Sequence, residues 1–205
     1  MKQYPKIPAH NKTDVTHFWV FDKLDGSNIR GEWSKKRGFY KFGSRKRLLG
    51  SDQGLLAKAE GLAKLIEGKI REVFKLAKIE RATCFFEFVG PNSFAGNHLA
   101  TDEHKLVLLD IDVYKHGMVS PGEFIKYFGD SDIEIPKLLH YGPVGQGIEA
   151  EIRSGTLQGM GFEGVVCKSR RRKKWENPVM YKIKNQAWID KVKANFDKSK
   201  WEDLL

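Results

Sequence analysis

The chain has 205 residues, of which 40% are hydrophobic and 30% charged, with 36 Lys and Arg against 26 Asp and Glu, a formal charge of +10. That length buries a core without disulfide staples, and that balance excludes a disordered chain and a membrane protein. No run of about 18 apolar residues is present to cross a bilayer. Residues 1–11 hold no apolar stretch with a small-residue cleavage site, so no secretory leader is expected. The positive excess favours polyanionic partners through phosphate contacts, although charge alone serves solubility equally well. Cys84 and Cys167 lie far apart inside apolar runs, without CxxC or paired-His spacing. They read as buried free thiols of a reducing, cytoplasmic compartment and not as zinc ligands.

Residues 17–21 (HFWVF), 28–34 (NIRGEWS) and 38–43 (GFYKFG) predict three strands, aromatic and punctuated by glycine, with 35–38 as a hairpin turn. From 52 to 78 the period changes. Leu55, Ala59, Leu62, Ile66, Ile70, Val73 and Ala77 recur at three and four residues. They predict one amphipathic helix of about seven turns, weakened at Gly61 or Gly68. Residues 82–89 (ATCFFEFV) and 105–113 (KLVLLDIDV) predict strands, the second apolar enough to be central. Ser120-Pro121-Gly122-Glu123 has capping-box spacing with proline at the first helical position, and opens a short helix through Tyr127. A second short helix is expected at 147–158, strands at 163–169 and 179–185, and an amphipathic helix at 186–204. The chain therefore predicts an α+β fold, a largely antiparallel sheet with flanking helices. It shows no repeat, low-complexity tract or linker, so one domain over 1–205 is expected.

Four segments carry residues suited to chemistry. Asp22-Lys23-Leu24-Asp25-Gly26-Ser27-Asn28 puts a lysine at a strand end before a glycine turn. Ser44-Arg45-Lys46-Arg47 is a basic cluster, which read alone is a solvated loop. Glu87 lies between Phe86 and Phe88, so it either faces water by strand alternation or is buried and needs a partner. Glu163-Gly164-Val165-Val166-Cys167-Lys168 is followed by Met180-Tyr181-Lys182-Ile183-Lys184. Lys182 and Lys184 are two apart in a strand and share a face, where two ammonium groups repel unless an anion such as phosphate lies between them. A lysine attacks phosphorus only when deprotonated, and desolvation with neighbouring cations would lower its pKa toward neutrality. A triphosphate needs basic side chains and a divalent metal to offset its charge. The inventory suits lysine-dependent nucleotidyl transfer.

The order KLDGSN, SRKR, FFEFVG, EGVVCK, YKIK over residues 21–184 resembles the motifs of the covalent nucleotidyltransferases: ATP-dependent DNA ligases, RNA ligases and mRNA capping enzymes. Ser-Asn after KxDG resembles the RNA ligase 2-like branch. The resemblance implies a nucleotidyltransferase domain of the ATP-grasp-like ligase type. It implies an ATP-dependent RNA ligase working through lysyl-AMP with Mg2+ or Mn2+, acting as a monomer on RNA or nicked duplex ends. A minimal DNA ligase and a non-catalytic nucleic-acid-binding module are the alternatives.

It further implies a role for each matched residue. Lys23 matches the nucleophile and Asp22 a position that reads the adenine edge. Arg45 matches the arginine at the ribose and phosphate, and Glu87 the glutamate near the ribose hydroxyls. Glu163 matches the metal-site carboxylate, with Asp25 as a second metal residue. Val166 matches the aliphatic face against the base, Lys182 and Lys184 the phosphate pair, and Asn28 a residue that handles the nucleic-acid end. The sequence departs from the family at Leu109, where an aromatic often precedes the Asp of a central strand. About 20 residues follow Lys184, so no OB-fold or C-terminal helical domain is expected, and a compact phage-encoded repair ligase would be of this kind. Arg170, Arg171, Arg172, Lys173 and Lys174, with Trp175, fill the turn between the last two strands. They are either a solvated tip or a loop that grips nucleic-acid phosphate. The six histidines show no metal spacing, and residues 90–99 read as a loop beside Glu87.

Overall fold

In a computed structural model, which describes residues 1–9, 14–45, 47–49, 54–91, 98–170, 176–199 and 201, the first strands stand where the aromatic runs place them. They are β1 (Phe18–Asp22), β2 (Ser27–Ser34) and β3 (Gly38–Ser44), with a two-residue β4 (Leu48–Leu49). Gly38 closes the β2–β3 turn at φ +68°, a conformation that side chains disfavour.

The single helix expected over 52–78 is two helices, α1 (Leu55–Leu65) and α2 (Glu67–Leu76), meeting at Ile66. The junction falls at neither glycine; both stay helical with open space beside them. What the periodicity could not carry is a tertiary contact. The Glu67 carboxylate accepts the Phe39 N–H at 2.8 Å and tethers the start of α2 to β3. Ile70 and Phe74 then enter the core, where Phe74 meets Trp33 edge-on at 4.8 Å.

β5 (Arg81–Val89), β6 (Lys105–Val113) and a two-residue β7 (Gly117–Met118) complete one sheet. α3 (Pro121–Phe128) opens on the predicted capping box, with the Ser120 N–H donating to Glu123 at 3.2 Å. β8 (Leu138–Gly142) has weak apolar patterning and was not expected. α4 (Gln146–Ser154) is shorter than 147–158 because Gly155 ends it at φ +78°. β9 (Gly164–Lys168) and β10 (Met180–Lys184) follow, and α5 (Gln186–Asn195) starts where Asn185 accepts the Ala187 N–H at 3.0 Å. α5 ends well short of residue 204.

The strands form two sheets, β4-β3-β2-β5-β6-β7 and β10-β9-β1-β8, and every neighbouring pair is antiparallel. β6 is not central. It lies next to the edge, and its apolar run follows from burial on both faces, with Leu108 N–H also bonded to the Glu134 carbonyl at 2.9 Å. One core packs the six-stranded sheet against α1, α2 and α3, and a smaller one packs the four-stranded sheet against α4. A third cluster joins Phe85 and Met118 of the larger sheet to Met180 of the smaller, under Tyr4 and Ile7. Both cysteines are free and buried, and burial pushes both thiols up, which leaves them inert. No helix among the described residues is long and apolar enough to cross a membrane.

Candidate active site

β1 ends in the four-stranded sheet at Asp22, and β2 begins in the six-stranded sheet at Ser27. The KLDG segment is therefore the crossing between sheets. The Lys23 N–H donates to the Gly164 carbonyl at 2.9 Å, which ties the crossing to the start of β9. At Gly26 a Cβ would collide with the Phe88 carbonyl and press on the Glu87 side chain, so only glycine permits the approach of the crossing to β5.

A cleft of about 540 Å³ opens at this crossing. It is lined by Asp22, Lys23, Asp25, Asn28, Arg45, Glu87, Glu163, Val166, Lys182 and Lys184. Residues spread over 163 positions of sequence thus meet in one cavity. Lys23 Nζ lies 2.9 Å from Glu163 Oε1, and Lys184 donates to the same oxygen. Lys23 is 22% exposed, whereas Glu163 and Lys184 are 5% and 6%. The Lys184 ammonium also stands 3.6 Å over the Trp188 ring. Lys182 shares the face of Lys184, as the period of two requires, and is half-buried. The anion that Lys184 meets here is the Glu163 carboxylate.

Burial lowers Lys184 to about 8 and also lowers Lys182, which Lys23 depresses further. Lys23 moves the opposite way from the sequence expectation. Burial pulls it down, but Glu163, Glu87 and Asp25 outweigh burial and hold it above the ordinary lysine value. The expectation took account of neighbouring cations and missed three carboxylates gathered on one ammonium. Burial raises Glu87 to about 8 and Asp25 to about 7, with Glu163 pushing each up further.

Glu87 faces the cleft and not bulk water, in register with Asn28 across the β2–β5 pair. Asn28 Nδ2 donates to the Phe86 carbonyl at 3.3 Å, and its Oδ1 is buried without a partner. Asp22 lines the cleft while one carboxylate oxygen accepts the Gly161 N–H at 2.7 Å. Arg45 is exposed along the cleft. Leu109 is the extra residue of a bulge in β6, between the pairs Phe86–Leu108 and Phe85–Asp110. The bulge brings Leu109 into the cleft lining, with Val166 contributed by the other sheet.

For a metal, the test is the donor set. Asp25 Oδ2 and Glu163 Oε2 are both buried with no partner, so oxygen donors stand unused in the cleft. No group of three or more His, Cys, Asp or Glu among the described residues could hold an ion unaided. The set fits Mg2+ or Mn2+ held by one or two carboxylates, with substrate phosphate and water completing the shell.

The cleft also contains residues without an expected role. Lys168 is buried against Asp110 at 2.6 Å and donates to the Leu109 carbonyl at 3.1 Å. Its signal was available: a lysine and an aspartate, each inside an apolar strand, call for one another. Tyr4, Pro5 and Ile7 line one side, with the Tyr4 hydroxyl on Asp110 at 2.5 Å and the Pro8 carbonyl accepting the Lys182 N–H at 2.9 Å. Nothing in the local pattern of residues 1–9 predicts that placement.

The basic turn is only partly described. Arg170 is exposed and does not line the cleft. Arg171, Arg172, Lys173, Lys174 and Trp175 lie outside the described residues, as do positions 92–97 of the loop expected beside Glu87. The Ser169 N–H bond to the Val179 carbonyl at 2.9 Å closes the β9–β10 hairpin. The Lys168 end of β9 lies roughly 16 Å along the strand direction from Glu163.

No protein-family model and no curated protein matches the chain. Solved structures do. A point variant of an RNA ligase of Naegleria gruberi without ligand is 17% identical, with a TM-score of 0.64 over 95% of this chain and 58% of that one. A second variant of the same ligase, with AMP and Mn, gives 16%, 0.65, 93% and 58%. The same ligase with PPi gives 20%, 0.61, 88% and 52%. The chain thus has the mixed α+β fold of that ligase, and spans just over half of its length.

Proposed function

We propose that this chain is an ATP-dependent RNA ligase that works through a lysyl-AMP intermediate. The observation that carries the proposal is the convergence of Lys23, Glu163, Lys184, Lys182 and Glu87 on one cleft at the junction of the two sheets. The neutral Lys23 Nζ attacks the α-phosphorus of ATP, the P–N bond forms, and the P–O bond to pyrophosphate breaks. The AMP then passes to a nucleic-acid 5′-phosphate, restoring the free amine. A 3′-hydroxyl finally attacks that activated phosphate, and AMP leaves as the strand is sealed. Lys182 and Lys184 hold phosphate oxygens, Arg45 the ribose and phosphate region, and Glu87 the ribose hydroxyls. Asp22 meets the base edge, and Leu109 and Val166 flank the base. Asn28 receives the nucleic-acid end. Asp25 and Glu163 would hold Mg2+ or Mn2+, which when bound supplies Lewis-acid charge that offsets the carboxylates now keeping Lys23 protonated.

The fold shared with an RNA ligase supports this reading, and so do the unpartnered carboxylate oxygens. The experiment is a gel after incubation with α-labelled ATP and magnesium, followed by sealing of RNA, DNA and hybrid nicks. A labelled chain that seals RNA ends is the expected result. Preference for DNA nicks would make it a minimal DNA ligase, and a chain that binds RNA without taking label would be a binding module.

Lys182→Ala and Lys184→Ala should each slow adenylylation by about two to three orders of magnitude, as loss of a charged donor on a transferring phosphate implies. They should differ in stability. Lys182 is half-buried and its loss should leave the melting temperature nearly unchanged, whereas Lys184→Ala removes one of two cations from buried Glu163 and should lower it. Labelling of both variants at the wild-type rate would remove these lysines from the phosphate site.

Neutralising Arg170, Arg171, Arg172, Lys173 and Lys174 together should spare self-adenylylation, since Lys168 at the end of β9 pairs with Trp19, at the end of β1 remote from Lys23. Sealing should fall, and the salt dependence of RNA binding should drop by about one unit for each phosphate that the turn no longer neutralises. A salt titration beside a two-step activity assay reads both. Unchanged sealing and slope would make the turn a solvated tip.

A further inference from the structure

The end of the six-stranded sheet remote from the cleft gathers three turns, and each carries lysine. The β2–β3 turn presents Lys35, Lys36 and Arg37, the α2–β5 turn Lys78 beside Lys75 of the last turn of α2, and the β6–β7 turn Lys115. Hydrogen bonds make them one surface. Lys35 N–H donates to the Glu80 carbonyl at 2.9 Å, Arg71 reaches the Lys35 carbonyl at 2.8 Å, and Tyr114 N–H donates to the Arg81 carbonyl at 3.0 Å. With Arg71 and Arg81 the face holds eight exposed basic side chains against three carboxylates, Glu67, Glu72 and Glu80. Among the described residues two ion pairs touch the face: Arg71 with Glu67 at 3.0 Å within α2, and Lys35 with Glu80 at 3.9 Å, which is exposed on both sides and neutralises little.

Two observations separate this face from an ordinary solvated one. Lys78 at φ +55° and Lys115 at φ +62° are the non-glycine residues of the described chain with positive φ. Glycine or asparagine would adopt that conformation with less strain, because a Cβ crowds the backbone there. The turns themselves therefore give no reason for lysine at either tip. Second, the guanidinium groups of Arg37 and Arg81 lie over the rings of Tyr40 at 3.7 Å and Tyr114 at 4.2 Å. Stacking fixes the plane of each fork and leaves its N–H edges for a phosphate.

We propose that this face is a second contact surface for the backbone of a nucleic-acid duplex, separate from the cleft. From Asn28 to Ser34 along β2 the separation is about 20 Å, or about six base pairs at ~3.4 Å each. A duplex that ends in the cleft can reach the patch within its own length. An anionic membrane is the other polyanion of this kind, but stacked guanidinium groups and an exposed tyrosine suit phosphate and sugar better than lipid. The inference does not depend on lysyl-AMP chemistry.

The test is binding of an RNA duplex of about 24 base pairs, titrated with salt in the absence of ATP. Lys36→Gln, Lys78→Gln and Lys115→Gln together should reduce the salt slope by about two to three units. Adenylylation of that variant should match wild type. The pair Lys78→Gly and Lys115→Gly should weaken duplex binding while the melting temperature does not fall, because glycine relieves the turns. The Lys23→Ala chain, which retains the patch, should bind the duplex with the wild-type slope, so the surface is tested even if no ligase activity is found. An unchanged slope in the triple variant overturns the proposal. So does tighter binding to phosphatidylserine vesicles than to the duplex, and so does a lower melting temperature in the glycine pair, which would make the lysines structural.

Discussion

Lys23→Ala is expected to abolish the covalent protein–AMP adduct, with no residual labelling above background. The side chain is the cleft lysine that is still 22% exposed, whereas Lys184 and Lys168 are buried and committed to Glu163 and Asp110. Lys182 also lines the cleft and is half-buried, but with its ammonium on the phosphate oxygens it does not replace the nucleophile. The fold should survive, because Glu163 keeps Lys184 as a partner. In the wild-type chain the adduct should be acid-labile and alkali-stable, the behaviour of a P–N bond; an alkali-labile adduct would point to a carboxylate or hydroxyl instead. Normal labelling of Lys23→Ala by α-labelled ATP would sink the assignment, and labelling by GTP in place of ATP would move the chemistry toward capping.

Glu163→Gln is expected to damage both stability and activity. One Glu163 oxygen receives two ammonium groups in a site where Glu163 and Lys184 are almost wholly buried. Removing the negative charge leaves those cations side by side without compensation. Breaking a buried pair in this way costs about 3 kcal/mol or more, equivalent to a fall of roughly 6–12 °C in melting temperature for a chain of this size. Adenylylation should drop by at least about two orders of magnitude, since the same carboxylate positions Lys23 and, with Asp25, offers the free oxygens suited to a metal. Thermal melts and single-turnover labelling of one preparation separate the two effects. A variant that melts with wild type would show that the three groups are not coupled as described.

The motif residues were legible because their chemistry is local in sequence. Gly26 in KLDG marks a close backbone approach, and Lys182 and Lys184 share a face by strand period alone. Glu87 between phenylalanines could face water or need a partner, and the fold decided for the cleft, with Lys23 and Asn28 around it. The strands from β1 to β3, the capping box of α3 and the β9–β10 hairpin were legible for the same reason: side-chain alternation, turn residues and caps act over a few positions.

The remainder depends on groups far apart in the chain. The 52–78 segment has unbroken helical period, yet it divides at Ile66, where Glu67 is tethered to Phe39 of another strand. β8 has little apolar alternation of its own and forms because β1 offers a free edge. Lys23 is the sharpest case. Sequence singled out this lysine and the carboxylates, but the sign of its pKa shift follows from whether cations or anions lie nearest, and Glu163 arrives from 140 residues away. The residue types alone determined which chemistry is available. Only the folding of two sheets around one crossing decided the electrostatic state in which that chemistry starts, because Coulomb interactions depend on distance in space and on burial, and not on spacing along the chain.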